Sequence, residues 1–344
     1  MTRFNRRTFT SLALASTMGL PRIAMAETAE DFYTGKQIDF IVSAPAGTLT
    51  DFVARQFADF FPRHMAGAPD VVVLNVAGAG GMVAAAQIQH KEAKDGTAVG
   101  FLQRNNLYRS LLEGKDAFDP REVQWLGSLE EIAYAIVARK ESGFETADQL
   151  FEKPLVLGAT GFANENRSLP AIANEYLGTK FDIIYGYNGR GEVYLAMERG
   201  EVGGWASTIA GLTQGDAAQM LADGDMKVLL HLSRKRHPDF PDVPCFADYD
   251  YAAGLDPLMD FMTLPFEAGR PVAVPKEVPA ERVAALRAAF AATAADPDFL
   301  AAMKAADYPV GVITGERIEE ILTSLYATPP EVLDKVRSYI EAPA

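Results

Sequence analysis

Apolar residues along this chain come in short runs, several of them closed by a glycine-bearing turn and followed by residues at helical spacing. QIDFIVSA, residues 37–44, reads as a β-strand ending at Pro45-Ala46-Gly47. In the following TDFVARQFADFFPRHM, Val53, Phe57, Phe60 and Phe61 fall at i, i+4, i+7 and i+8. That spacing predicts an amphipathic helix starting at Thr50 or Asp51. DVVVLNVAGAGGMVAAAQI, residues 70–88, repeats the layout with an apolar run from Val71 to Val76, three glycines within four residues, and an Ala-rich helix. DGTAVGFL supplies a third strand near 98–102. LVLGATG, FDIIYGY and KVLLHLS read as strands at 155–161, 181–187 and 227–233, with helical segments between them. Residues 279–306 and 315–340 read as mostly helical, broken at Asp296-Pro297 and Pro329-Pro330. Strands alternating with helices predict an α/β protein with largely parallel sheets.

The N-terminus follows another pattern. Arg3, Arg6 and Arg7 precede a modest apolar run, Leu12 to Leu20, and Ala24-Met25-Ala26 has the small-x-small form of a cleavage site. An export signal cut after Ala26 is expected, leaving a soluble periplasmic protein. The run is too short to span a bilayer and contains Ser16, Thr17 and Gly19. Asn5-Arg6-Arg7-Thr8-Phe9 resembles the twin-arginine signal, and a general secretory signal is the rival. Removing residues 1–26 removes four arginines and no acid, which takes the formal net charge from −14 to −18. A surface that acidic argues against nucleic acid as a partner, because phosphate binding needs clustered cations. A buried site can still offer backbone dipoles to an anion. Cys245 is the only cysteine, so no intramolecular disulfide forms, and it reads as a small core or loop residue. The chain left after cleavage, about 318 residues, suits two lobes better than one core, and a monomer is expected.

The glycine-rich turn first has to be weighed as a nucleotide loop. The dinucleotide fingerprint is G-x-G-x-x-G after the first strand. Here Gly78-Ala79-Gly80 is followed by Gly81-Met82-Val83, with valine in the third glycine position, and the preceding strand is not the first. His64, His90, His231 and His237 show no metal-ligand spacing, the last two lying six apart in a basic, surface-like segment. There is no G-x-S-x-G elbow and no P-loop. Acid pairs such as Glu130-Glu131 and Glu319-Glu320 read as solvated helix faces. No cofactor or metal is therefore expected. What remains is two strand-to-helix junctions, AGTLTD at 46–51 and AGAGG at 77–81. Glycine allows a tight turn with exposed N–H groups, and a helix start adds unpaired donors and partial positive charge. Two such ends facing one crevice would hold a carboxylate with no basic side chain.

These same segments resemble a known family. FIVSAPAGTLTDFVARQFADFF is similar to the P-A-G-G-x-x-D-x-x-A-R segment of the substrate-binding receptors of tripartite tricarboxylate transporters, the extracytoplasmic Bug receptors. VVVLNVAGAGGMVAAAQI resembles their V-V-V-x-N-x-x-G-A-G-G segment and KDGTAVGFL their P-D-G-Y-T-L. Pro-Asp-Val-Pro at 241–244, after Arg236, resembles their R-x-x-x-x-P-D-V-P-T, with Cys245 for threonine.

The resemblance implies a two-lobe periplasmic-binding-protein fold of type II-like form, with the ligand in the interlobe cleft. Lobe one would be 27–130 plus 236–344, and lobe two 131–235. It further implies a small carboxylate ligand, held by backbone N–H groups and ordered waters, and delivery to one large and one small membrane subunit. Carried onto this chain, the ligand-binding residues of lobe one are Ala46, Gly47, Thr48, Asp51, Ala79 and Gly80. Asp51 has two readings, an acceptor beside the ligand or a helix N-terminal stabiliser. Thr48 replaces the second glycine of P-A-G-G, and Ser207 stands where the family has a pocket-facing aspartate. Loss of that acid makes the pocket friendlier to anions. Arg104 and Arg190 are candidates to pair with a second carboxylate, each with a surface arginine as the alternative. Trp205 is a candidate cover for an apolar part of the ligand or a core residue. Thr160 and Tyr187, at the ends of two second-lobe strands, complete the set. A receptor for another importer or a signalling partner, or a periplasmic enzyme acting on a small carboxylate, are the alternatives.

Overall fold

The computed structural model describes residues 28–114 and 117–342. The export signal expected at 1–26 lies outside the described residues. Four strands come first: β1 (Gln37–Val42), β2 (Asp70–Asn75), β3 (Ala98–Phe101) and β4 (Val123–Ser128). Five more follow: β5 (Tyr134–Arg139), β6 (Leu155–Ala159), β7 (Phe181–Tyr185), β8 (Gly204–Thr208) and β9 (Met226–His231). β10 (Pro271–Pro275) and β11 (Ile313–Thr314) close the series. Two sheets result, one in the order β11-β4-β10-β3-β1-β2 and one in the order β7-β6-β8-β5-β9. The chain thus builds most of one sheet, crosses to complete the other, and returns to add β10 and β11.

The expectation of largely parallel sheets is corrected. β1 pairs in parallel with β2 and β3, and β6 with β7 and β8, but β10 inserts antiparallel between β3 and β4. β5 likewise runs antiparallel to both β8 and β9. Strands reached through a βα crossover are parallel, whereas those added as the chain passes between sheets meet their neighbours head to tail.

The amphipathic spacing is realised in the helix Leu49–His64, which buries Val53, Phe57 and Phe61. Phe57 packs against Phe40, Phe61, Phe101, Phe290 and Phe299 at 5.2–6.5 Å between ring centroids. This aromatic cluster fastens the helix to one face of the first sheet, so the strand-to-helix turn above it is held from below. The helix begins one residue before the expected start. Thr48 is its cap, with a side chain that accepts from the Asp51 N–H. Residues 279–306 and 315–340 each divide into two helices, Ala280–Ala294 with Pro297–Ala305, and Gly315–Tyr326 with Pro330–Ile340. In each pair the break falls where proline opens the second helix.

Two polar readings change. Glu130 is not on a helix: it joins β4 to β5, half-buried, with Arg270 Nη1 at 3.3 Å from its carboxylate. Glu319 and Glu320 do lie on an exposed helix face, paired with Arg287 and Arg317. His231 is 1% exposed rather than part of a surface segment. Its Nε2 is 3.0 Å from the Phe240 carbonyl, and burial pushes its pKa down.

Candidate functional site

Parallel pairing brings the ends of β1, β2 and β3 to one edge of the first sheet. Val42 pairs with both Asn75 and Phe101, and the chain continues the register as Val76 N donates to Val42 O at 2.9 Å. The turns at 46–51 and 77–81 therefore start side by side, as expected for α/β sheets, where crevices form outside the carboxyl ends of the strands.

A polar knot ties the two turns together at Asp51. One carboxylate oxygen accepts from Gly47 N at 2.8 Å, and the other from Arg55 Nε at 3.0 Å and Asn75 Nδ2 at 2.8 Å. Asn75 also donates to Ala44 O at 3.1 Å and accepts from Arg55 Nη2 at 2.8 Å. Burial pushes the Asp51 carboxyl up, but the bonds from Arg55, Asn75 and Gly47 outweigh it and hold the group below the usual aspartate range. Asp51 is 4% exposed. Its carboxylate is thus spent on the protein, and the Gly47 N–H expected to face a ligand is spent on it. Thr48 is committed too, since its hydroxyl donates to Pro45 O at 2.8 Å while serving as the helix cap. Ala46 and Gly47 remain exposed in backbone terms, and Gly47 needs its φ of +79° rather than space, as a Cβ there would meet nothing within 4 Å.

The second turn is more unusual. Gly78, Ala79, Gly80 and Gly81 have φ of +134°, +46°, +62° and +92° in succession. Alanine at +46° is a strained conformation, and strain of that kind gathers where backbone direction matters. Two side chains hold the turn from one side. Arg109 Nη1 donates to Ala79 O at 2.6 Å and Asn105 Nδ2 to Gly80 O at 2.9 Å. In a trans peptide the carbonyl and the next N–H point in opposite directions. With Ala79 O turned toward Arg109, the Gly80 N–H faces away from it. Gly81 N closes the turn on Gly78 O at 2.9 Å, and residues 77–80 are exposed.

Residues 103–105 connect everything. Gln103 Nε2 donates to Ser43 O at 2.7 Å, where β1 ends, and Asn105 holds the second turn. Arg104 between them reaches the other way, to Glu165 at the first turn of the helix Glu165–Tyr176, which packs on the second sheet. Its guanidinium also lies 5.1 Å from the ring centre of Phe266. Burial presses the arginine's pKa down, and the Glu165 carboxylate more than reverses this. Arg104 is not a free cation awaiting a ligand.

The second-sheet candidates other than Trp205 also sit at or just beyond the C-terminal ends of parallel strands. Thr160 follows β6, and its Oγ1 accepts from Asn164 Nδ2 at 2.6 Å and Asn166 Nδ2 at 3.0 Å. Tyr187 follows β7, half-buried, with its N–H 3.3 Å from Ala159 O. Arg190 opens the helix Arg190–Glu198 and is exposed. Ser207, near the end of β8, is 1% exposed and donates to Thr208 O at 3.1 Å. Trp205 is 6% exposed and packs edge-on against Tyr194 at 5.6 Å, in the core cluster between the second sheet and its helices. Of its two readings, the contacts are those of a core residue.

Sequence reasoning passed over Arg55, Asn75, Asn105 and Arg109. Arg55 and Asn75 were visible in the A-R and V-V-V-x-N patterns. Asn105 and Arg109 gave no signal, because their partners lie 25 and 30 residues away.

The model of the tripartite tricarboxylate transporter family receptor matches residues 53–316. The chain belongs to that family. A TctC solute-binding protein from Polaromonas, without ligand, shares 22% identity, covering 88% of this chain and 99% of its own, with a TM-score of 0.71. The periplasmic binding protein BugD shares 22% over 89% and 98%, with a TM-score of 0.54. MatC from Rhodopseudomonas palustris with bound malate shares 20% over 87% and 99%, with a TM-score of 0.52. These likenesses establish the two-lobe periplasmic-binding-protein fold. No curated protein sequence matches the chain. Among the described residues, no helix is long and apolar enough to cross a membrane.

Proposed function

We propose that this receptor is exported as a monomer, binds a small carboxylate through main-chain amides at the two first-sheet turns, and passes it to the large and small membrane subunits of a tripartite tricarboxylate transporter. Lobe one comprises residues 27–130 and 236–344, lobe two 131–235, and the ligand enters the cleft between the strand ends of the two sheets. The observation that carries the reading is the run of left-handed residues from Gly78 to Gly81, whose carbonyls at 79 and 80 are drawn aside by Arg109 and Asn105. Amides freed in this way, next to the start of the helix Met82–His90, make an anion site without a lysine or arginine. The bound malate of MatC, which has the same fold, agrees with a carboxylate ligand. Thr160, Tyr187 and Arg190 would close on the ligand from the second lobe, with binding and release as the cycle and no covalent chemistry; Ser207 would act from beneath them, buried at the end of β8.

Calorimetry with malate, succinate and adipate, before and after exhaustive chelation, tests this. Saturable binding of at least one acid, unchanged by chelation and with the ligand recovered intact, is expected. Affinity that vanishes with chelation and returns with zinc or calcium would overturn the backbone cradle, and turnover of the acid would favour an enzyme.

A further inference from the structure

Arg104 and Glu165 are 61 residues apart in sequence and belong to the two different halves of the fold, yet they pair with each side chain about four-fifths buried. Burying a guanidinium is costly unless a counter-charge is supplied, so the position demands an anion. Arg104 comes from the three-residue stretch that also holds Ser43 O and Gly80 O, which places its backbone at the floor of the proposed cleft. Its Nε is buried and donates to nothing, so the guanidinium has hydrogen-bonding capacity that Glu165 does not use. Glu165, for its part, lines a cavity of about 320 Å³ walled by Asn105, Tyr108, Arg109 and Phe266. It therefore has space beside it to rotate into, although the Asn105 and Arg109 donors there are bonded to the turn and Glu113 and Glu341 also line the cavity.

We infer that Glu165 is a built-in competitor for the ligand: it neutralises Arg104 across the lobes, and a ligand with a second carboxylate must displace it to gain the arginine. The inference rests on the carboxylate-receptor reading above and sharpens it to a discrimination between acids. A monocarboxylate, held by the turns alone, leaves the pair intact and feels nothing of Glu165. A dicarboxylate exchanges one carboxylate for another at Arg104, so the net gain is only the difference between the two contacts. Glu165 accordingly sets the spread of affinities between acid classes rather than the affinity of the cradle.

Calorimetry with succinate and propionate on the wild type, Glu165→Gln, and Glu165→Gln combined with Arg104→Ala reads this directly, with Glu165→Asp as a milder variant and melting curves as the folding check. Freeing Arg104 in Glu165→Gln is expected to tighten succinate by about tenfold or more, the scale of one charge-assisted bond, and to leave propionate unchanged. Adding Arg104→Ala should remove the gain. If both acids bind the wild type and Glu165→Gln changes neither, or changes both equally, the pair is only structural and the inference falls while the receptor reading stands. If neither acid binds any of the proteins, both fall together.

Discussion

A single buried carboxylate does the positioning at the first turn. Asp51 receives three hydrogen bonds, from Gly47, Arg55 and Asn75, and so joins the end of β1, the start of its helix and the end of β2. Arg55 is exposed, so its ion-pair share is small, and the bonds from the buried side of the network matter more. Asp51→Ala leaves the Gly47 N–H without its acceptor and the Asn75 amide with only Ala44 O, and is expected to cost about 1.5–3 kcal/mol in chemical denaturation. The sign of the pH dependence follows from the depressed pKa. A carboxyl held below its unfolded value stabilises the fold fully above that value, about 4, and loses the contribution as pH falls through the folded pKa. The stability gap between wild type and Asp51→Asn should therefore narrow below about pH 4, and a gap constant from neutral pH to pH 3 would deny Asp51 this role.

At the scale of the element, the second turn is the feature whose geometry is hardest to replace. A Cβ on Gly80 would lie 2.5 Å from Arg109 Nη1 and 3.0 Å from Asn105 Nδ2, at a φ of +62°. Gly80→Val must push Arg109 off the turn and shift Asn105 slightly, and must place a β-branched residue in the left-handed region, a strain of order 1–3 kcal/mol. The turn is exposed and buries little, so a folded protein with a slightly lower melting temperature and no measurable carboxylate binding is expected. Unchanged affinity in a folded Gly80→Val protein would place the ligand elsewhere. This turn was legible in the sequence because the glycines fall directly between an apolar run and a helix-forming segment. The first helix was legible because its phenylalanines share one face. β4, β5, β8 and β10 were not, since short strands such as GWAST and PVAVP carry too few residues to show a period. The mixed pairing was hidden for a related reason: strand direction depends on where the chain crosses between sheets, which no local pattern records.

At the scale of the whole molecule, the candidate site residues other than Trp205 sit at or beyond the carboxyl ends of parallel strands in one sheet or the other, and Arg104 with Glu165 joins the two groups. The motifs located each group separately. Their junction was beyond reach, because an ion pair spanning 61 residues leaves no mark on either segment. In the proposed site main-chain amides, not side chains, would hold the anion in a receptor whose net charge is strongly negative. Amide-resolved NMR during a succinate titration examines that claim at every residue at once. The largest shifts are expected at Gly78, Ala79 and Gly80, with smaller ones at Ala46, Thr48 and the Thr160 and Tyr187 loops. Saturating binding that leaves the 78–80 amides unmoved, while shifts gather at another surface, would contradict the account.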